Sequence, residues 1–483
     1  MADPALLTAA RWTAAAAAVR ALMQVLQLVL MARLFGGEDL GVLVLLFSII
    51  AVAQLFADVG IGNLVMHHQQ LSAQELRAIR GLALGMGALL CTLLLLAAPL
   101  LARFYGDARL QALVSLAGGL FLLNSLWQTK RALLEKTFEF RTVGGGEIIA
   151  ALLSQGLMAA VALQTGAVLA VLIAPLGFSL IMLLWLSVAK PDAEDFRFAF
   201  SRDTLRRFAG YSLHTLGFNL SNSVSVYADI FIGGRLLGAT ALGGHGIAKD
   251  LSLKIGWAIN PIVTRIATPL LAQLQGERER LRAVYAQVLR VTTALNFPVF
   301  ASLVLFSGSY VPLVFGERLA PYQPSFVLLG LWGLLRAIGN PSGSLFFALG
   351  KTRLAFHFSL GSMLLFALAA LLGARQGAVG LAGAMLAAMA LQQGFAIWYF
   401  IVRPLTGMRY RQYVGSLLPA GAAALLAFGG VLLVMTWRWG AELRLGWGGL
   451  LLSQLVAGSL YLGLLGAFDR ALARQALQLL RRG

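Results

Sequence analysis

The sequence is poor in the residues that build soluble enzymes and disulfide-stapled folds. Of 483 residues only 12% are charged, one is cysteine and five are histidine. The single cysteine, Cys91, excludes an intrachain disulfide, and with five scattered histidines no Cys/His metal framework can be assembled. There is no HExxH and no CxxC. The GKT at 350–352 lacks the first glycine of a phosphate-binding loop, since Leu345 stands in its place, so no ATP site is expected. Acidic residues are also scarce, 20 Asp and Glu against 38 Lys and Arg, which leaves a formal charge of +18. Such an excess suggests nucleic acid in a soluble protein, but here it must first be weighed against membrane topology.

What the chain has in abundance is apolar sequence: 59% of its residues are hydrophobic, and the mean hydropathy is +0.81. A membrane-spanning helix uses about 20 residues. Runs of that length fall near 12–34, 40–62, 81–102, 109–127, 143–164, 166–188, 210–233, 240–271, 284–308, 323–347, 353–374, 378–401, 413–436 and 447–468, predicting an all-α polytopic membrane protein of about fourteen helices. The alanine-rich N-terminus resembles a signal peptide, but Arg20 interrupts its apolar stretch, so residues 12–34 read as a retained first span. Alternate connections carry 24 and 8 basic residues, and the positive-inside rule then puts both termini in the cytoplasm. No outer connection exceeds about fifteen residues, which leaves no loop domain for an enzyme acting outside the cell. His67 and His68 belong to a solvated cytoplasmic segment, 63–80, rather than to a metal site.

Six basic residues remain inside spans: Arg20, Lys249, Lys254, Arg265, Arg290 and Arg336. A cation at mid-membrane costs ~2.5–3.5 kcal/mol and normally faces a bundle interior or a watery path. Snorkelling from a helix end accounts for Arg290 and is an even alternative for Arg265 and Arg336. Thr13, Arg20, Gln24 and Gln27 share one helical stripe. Asp250, Lys254, Pro261 and Arg265 lie within an arc of about 60°. Pro261 and Pro269 predict a kink or break in the eighth span. Gln54 and Asp58 form a further polar pair, at i and i+4.

An internal repeat aligns these faces. RLFGGEDLG at 33–41 and RLLGATALG at 235–243 match at an offset of 202 residues. Two weaker echoes follow in order, Leu76-Arg77-Ala78-Ile79 with Leu281-Arg282-Ala283-Val284, and Phe104-Tyr105-Gly106-Asp107 with Phe315-Gly316-Glu317. The chain therefore reads as two six-helix lobes, 1–200 and 201–405, followed by two more spans and a tail at 406–483. The offset maps Thr13, Arg20, Gln24 and Gln27 onto Thr215, Asn222, Val226 and Asp229. The polar faces of spans 1, 2, 7 and 8 are expected to line a central cavity. Arg20, Lys249, Lys254 and Arg265 suit it to an anion, while Gln24, Gln27 and Asn222 suit it to sugar hydroxyls. Asp58, Asp229 and Asp250 read either as proton or sodium coupling sites or as salt-bridge partners of the lysines.

The turn at 235–243, LLEKTFEFR at 133–141, FYGD at 104–107, LVFGE at 313–317 and FALGKTR at 347–353, taken in order, resemble the polysaccharide transporter family. These are the Wzx-type flippases of the multidrug/oligosaccharidyl-lipid/polysaccharide exporter superfamily. The resemblance implies a transporter rather than an enzyme, one that moves an undecaprenyl-pyrophosphate-linked oligosaccharide across the bacterial inner membrane by alternating access. It implies no cofactor beyond an H+ or Na+ gradient. Its partners would be the lipid-linked substrate, the bilayer and assembly proteins such as a polysaccharide polymerase, with no nucleic acid. A lipid-linked peptidoglycan precursor flippase and a cation-coupled multidrug exporter of the same superfamily are the alternatives.

Overall fold

The structure, a computed structural model, describes residues 4–57, 65, 72–192, 196–200, 213–440 and 444–469, with side chains from residue 11 onward except 213–216 and 439. Asp58, His67, His68 and the stretches 193–195 and 201–212 of the chain lie outside the described residues. Among the described residues every regular element is helical. Helices of eight or more residues are α1 (Pro4–Leu34), α2 (Gly37–Ala57), α3 (Ala73–Tyr105), α4 (Arg109–Lys136), α5 (Phe140–Thr165), α6 (Ile173–Ala189), α7 (Leu213–Leu236) and α8 (Ala239–Ala272). They continue as α9 (Arg278–Leu305), α10 (Gln323–Gly339), α11 (Pro341–Ala348), α12 (Thr352–Ala374), α13 (Gly377–Leu391), α14 (Tyr410–Ala424), α15 (Gly430–Trp439) and α16 (Trp447–Phe468). In hydrocarbon a backbone must satisfy its own polar groups, and helices do so within one segment.

Eleven of the described helical segments are long and apolar enough to cross a membrane. The other three expected spans are helical, but each falls short of that standard for a visible reason. Segment α7 is rich in Ser and Asn, α8 carries four charged residues, and the tenth expected span is split at Asn340 into α10 and α11. Leucines such as Leu89, Leu93, Leu96 and Leu100 recur along one face of α3, and Leu96 is 66% exposed. Rows of uncovered leucine on a membrane helix are lipid-facing surface.

The chain divides into two compact units, Met1–Gly243 and Gly244–Gly483. In the first, α3 starts with a capping box: Ser72 Oγ accepts from the Glu75 N–H and Glu75 accepts from the Ser72 N–H. It ends at Gly106, whose φ of +74° is the left-handed C-cap that glycine adopts without strain. Beside that turn Arg109 binds Asp107 and Asp39, each at 2.6 Å, and its hydrogen bond holds the Asp107 carboxyl below the usual carboxylate range. At the other end of the helices, Lys190 donates to Glu139 at 2.7 Å and lowers that carboxyl likewise. Small residues let the helices approach closely, with Gly87 of α3 against Ser125 of α4 and Gly177 of α6 against Ser154 of α5.

Helix boundaries reproduce the sequence repeat. Helices α1 and α7 end at Leu34 and Leu236, while α2 and α8 begin at Gly37 and Ala239, so both pairs are separated by the 202-residue offset. Helices α3 and α9 begin at Ala73 and Arg278, matching the offset of the Leu76 and Leu281 echo. Inside the first unit the two repeated turns also touch reciprocally. A Cβ on Gly41 would overlap the Ala239 carbonyl, and one on Gly243 would lie 2.5 Å from the Gly37 carbonyl oxygen. The repeat maps Gly41 onto Gly243 and Gly37 onto Ala239, so this is one contact made twice, and it explains why both turns end in glycine.

In the second unit α9 is the scaffold. Its Asn296 donates to Asn260 of α8 at 3.2 Å. Tyr461 of α16 donates to the Ala294 carbonyl at 2.8 Å, and Ser302 donates to Gln454 at 2.7 Å. Phe306, Ala423, Ala427, Phe428, Leu450 and Ala457 form the apolar seam that docks the last helices. Helix α13 continues through two π-helical turns, Gln392–Ala396 and Trp398–Val402, and Tyr413 caps the Gln393 carbonyl at 3.1 Å. Of the kink or break expected here, no break occurs: α8 runs continuously through Pro261 and Pro269. Each proline still removes one backbone bond, freeing the carbonyls of Trp257 and Arg265, residues that sit on the helix's exposed face.

The reciprocal contact predicts an inverted glycine effect. Gly-to-Ala inside a helix ordinarily stabilises by about 1 kcal/mol, and Gly156→Ala in α5, where nothing lies within 4 Å of the added carbon, should follow that rule. Gly41→Ala should instead lower the melting temperature of the detergent-purified protein; a rise in both variants would show that the turn contact is not made.

Candidate functional site

The expected site residues fall into separate local environments. Arg20, on α1, lies 3.3 Å from Glu147 of α5, a carboxylate that sequence reasoning missed. Arg131 of α4 reaches the same oxygen at 3.0 Å and also binds Glu135 at 2.8 Å. Three successive glycines explain the placement. Gly144 packs on the α1 backbone at Trp12, and Gly146 seats the Trp185 ring of α6, whose Nε1 donates to the Thr142 carbonyl. About two turns away from Arg20, Gln27 accepts a hydrogen bond from Gln155 at 3.2 Å, whereas Gln24 is exposed. The polar stripe of α1 therefore turns partly onto α5.

On α7, Asn222 is half-buried and Asp229 is wholly buried, with its carboxylate accepting the N–H of Ile230 at 2.9 Å. Thr215 lies among the residues whose side chains are not described.

Helix α8 holds the remaining cations in three different states. Lys249 is buried, its ammonium 5.1 Å from the Trp332 ring centre, and Arg336 stacks on the same ring at 5.8 Å. Such contacts contribute roughly 0.5–2 kcal/mol each. Trp332 was thus a second residue missed from the sequence, because a tryptophan in an apolar run carries no signal of the cations stacked on it. Lys254 pairs with Asp250 at 3.2 Å, one turn apart on a half-open face. Arg265 is exposed and makes no ion pair with any described residue. Arg290, expected to snorkel, lies 3.9 Å from Asp469, since α16 brings that carboxylate back to α9.

Asp250, Lys254, Pro261 and Arg265 do share one accessible face of α8, together with Trp257. That face offers an ammonium, a free guanidinium, an indole and freed carbonyls. It can bind an anion and stack a sugar ring. No set of three His, Cys, Asp or Glu among the described residues could hold a metal.

These features define a polytopic helical membrane protein with cations on its helices. A family model for polysaccharide biosynthesis proteins matches residues 30–324. The chain belongs to that family, the one the turn phrases pointed to. It is 28% identical over 424 residues to the lipopolysaccharide biosynthesis protein WzxC of Escherichia coli K12, covering 85% of this chain and 84% of that one. It is 27% identical over 446 residues to the teichuronic acid biosynthesis protein TuaB of Bacillus subtilis 168, covering 91% and 92%. Among solved structures, the lipid II flippase MurJ in an inward closed conformation superposes with a TM-score of 0.73 at 12% identity, over 96% of this chain and 99% of that one. The fold is therefore shared with a flippase.

Trp332 and Arg265 make opposite predictions for stability. Trp332→Ala removes a buried ring under two cations and should cost about 3–5 kcal/mol, seen as lost monodisperse protein. Trp332→Phe should recover most of it, and Arg265→Gln should melt within about 1 °C of wild type, as surface changes do. A large melting shift for Arg265→Gln would mean the guanidinium has a structural partner.

Proposed function

We propose that this protein is a flippase for a lipid-linked oligosaccharide in a bacterial inner membrane. It would carry an undecaprenyl-pyrophosphate-linked repeat unit of an exopolysaccharide or O-antigen from the cytoplasmic to the outer leaflet. The observation that carries the reading is the open face of α8, where Lys254 and Arg265 stand on a membrane helix of a polysaccharide biosynthesis family member. An arginine exposed on such a helix, as Arg265 is, is expensive unless water or an anion meets it. A pyrophosphate supplies such an anion.

In this reading the chain comprises fourteen spans, as two six-helix repeats over 1–200 and 201–405 and two additional helices within 406–483, with both termini cytoplasmic. The matched helix boundaries at the 202-residue offset support the repeat. Alternating access would flex α8 at Pro261 and Pro269, where backbone hydrogen bonds are already missing. Coupling to an H+ or Na+ gradient would fall to Asp58 or Asp229, because Asp250 is taken by Lys254. A polysaccharide polymerase would consume the delivered unit. The likeness to MurJ, at 12% identity, bears on fold alone and gives no preference for a peptidoglycan precursor.

Cells lacking the protein should accumulate lipid-linked repeat units in the cytoplasmic leaflet, measured by lipid extraction and mass spectrometry with leaflet-selective glycosidase treatment. Arg265→Glu, expressed at wild-type level, should fail to clear them. Clearance by Arg265→Glu at the wild-type rate would remove the α8 face from the mechanism, and no accumulation in the deletion would overturn the flippase reading.

A further inference from the structure

We infer that Arg20, Arg131 and Glu147 form a two-guanidinium clamp for the diphosphate of the lipid-linked substrate, in which Glu147 is the positioning residue. The inference rests on the flippase reading and adds to it two arginines, Arg20 and Arg131, and the carboxylate that aligns both. Arg20 and Arg131 come from different helices, α1 and α4, yet each places an Nη atom on the same Glu147 oxygen, at 3.3 and 3.0 Å. The two nitrogens are therefore no more than about 6 Å apart, since both meet one oxygen within hydrogen-bond or ion-pair reach. A diphosphate carries anionic oxygens on two adjacent phosphorus atoms, so guanidinium groups held side by side can take one phosphate each.

The burial pattern distinguishes this group from a packing salt bridge. The Glu147 side chain is 5% exposed, whereas those of Arg20 and Arg131 are 37% and 32% exposed. The carboxylate sits behind the guanidinium groups and leaves their other edges open. Glu147 is itself fixed, because Gly144 and Gly146 clamp α5 between α1 and α6 within the preceding turn. Glu135 holds Arg131 from its own helix through Nε, at 2.8 Å, and Glu147 takes Nη2, which leaves Nη1 for a ligand. Two arginines against two glutamates make the cluster neutral while empty. Holding two arginines together would otherwise cost repulsion and side-chain entropy, and the buried carboxylate offsets both before the ligand arrives. Arg131 lies near the last turn of α4 and Glu147 in the second turn of α5, both adjoining the 137–139 connection, which the basic-residue bias puts on the cytoplasmic side. The clamp thus lies where a substrate made in the cytoplasm would load.

The test is binding of undecaprenyl pyrophosphate to the full chain in nanodiscs, measured by thermophoresis, with undecaprenyl monophosphate and undecaprenol as controls. Arg131→Ala should weaken diphosphate binding tenfold or more and monophosphate binding much less. The sign for Glu147→Gln is the discriminating result. A carboxylate that merely sits near an anion repels it, so its neutralisation would tighten binding; a positioning carboxylate, when neutralised, should loosen binding about tenfold, and Glu147→Asp should restore most of the loss. Arg131→Ala within twofold of wild type, or Glu147→Gln binding more tightly, overturns the clamp while leaving the flippase reading intact. If Glu147→Gln is not monodisperse, Arg131→Ala and Glu147→Asp decide the matter by the same criteria. Wild-type protein that prefers neither phosphate-bearing lipid over undecaprenol would instead fell the flippase reading and the clamp with it.

Discussion

Charge within a membrane helix must be paired, stacked or given access to water, and this constraint organises both units. The in-span cations meet it in all three ways. Arg20 pairs with a buried glutamate, Lys254 with an aspartate one turn away, and Arg290 with Asp469. Lys249 and Arg336 lie against one tryptophan ring. Arg265 is exposed and has no ion pair among the described residues, so its helix face must meet water or an anion. The ordering runs from cations that hold helices together to cations that remain available, and the available ones define where an anionic ligand can bind.

Close helix approach is the second requirement, and glycine supplies it at positions with a structural role. The run 144–146 brings α1 and α6 onto α5 and fixes the direction of Glu147. Gly41 and Gly243 let two repeated turns touch through their backbones. In a membrane, packing of this kind replaces the hydrophobic drive that assembles soluble cores, because lipid is as apolar as leucine. The uncovered leucine rows on α3 show the complementary surface, where nothing but hydrocarbon is needed.

Much of the fold was legible in sequence because its signals are long. Apolar runs marked helices, and the turn repeat predicted helix boundaries that recur at the 202-residue offset. The shared face of Asp250, Lys254, Pro261 and Arg265 was also readable, since four residues at helical spacing fix an arc without tertiary information. What stayed hidden depended on neighbours remote in sequence. Glu147 is the one charged residue in its apolar stretch, 142–189, and only packing brings Arg20 and Arg131 to it. Arg131 was counted with the cytoplasmic charges because the helix that carries it extends beyond its apolar stretch to Lys136. Asp469 pairs with Arg290 across most of the second unit's sequence, which no local pattern could reveal. Of the kink or break expected in α8, the break did not occur, since the helix continues through both prolines.

The central claim is that this membrane protein moves a pyrophosphate-linked glycan lipid between leaflets. The most direct measurement is transbilayer movement of a fluorescent undecaprenyl-pyrophosphate oligosaccharide in proteoliposomes, read by quenching from outside. The account predicts that purified protein equilibrates the probe between leaflets, and that Arg265→Glu slows this severalfold or more at equal incorporation. Movement no faster than in protein-free liposomes under every imposed H+ and Na+ gradient would contradict it.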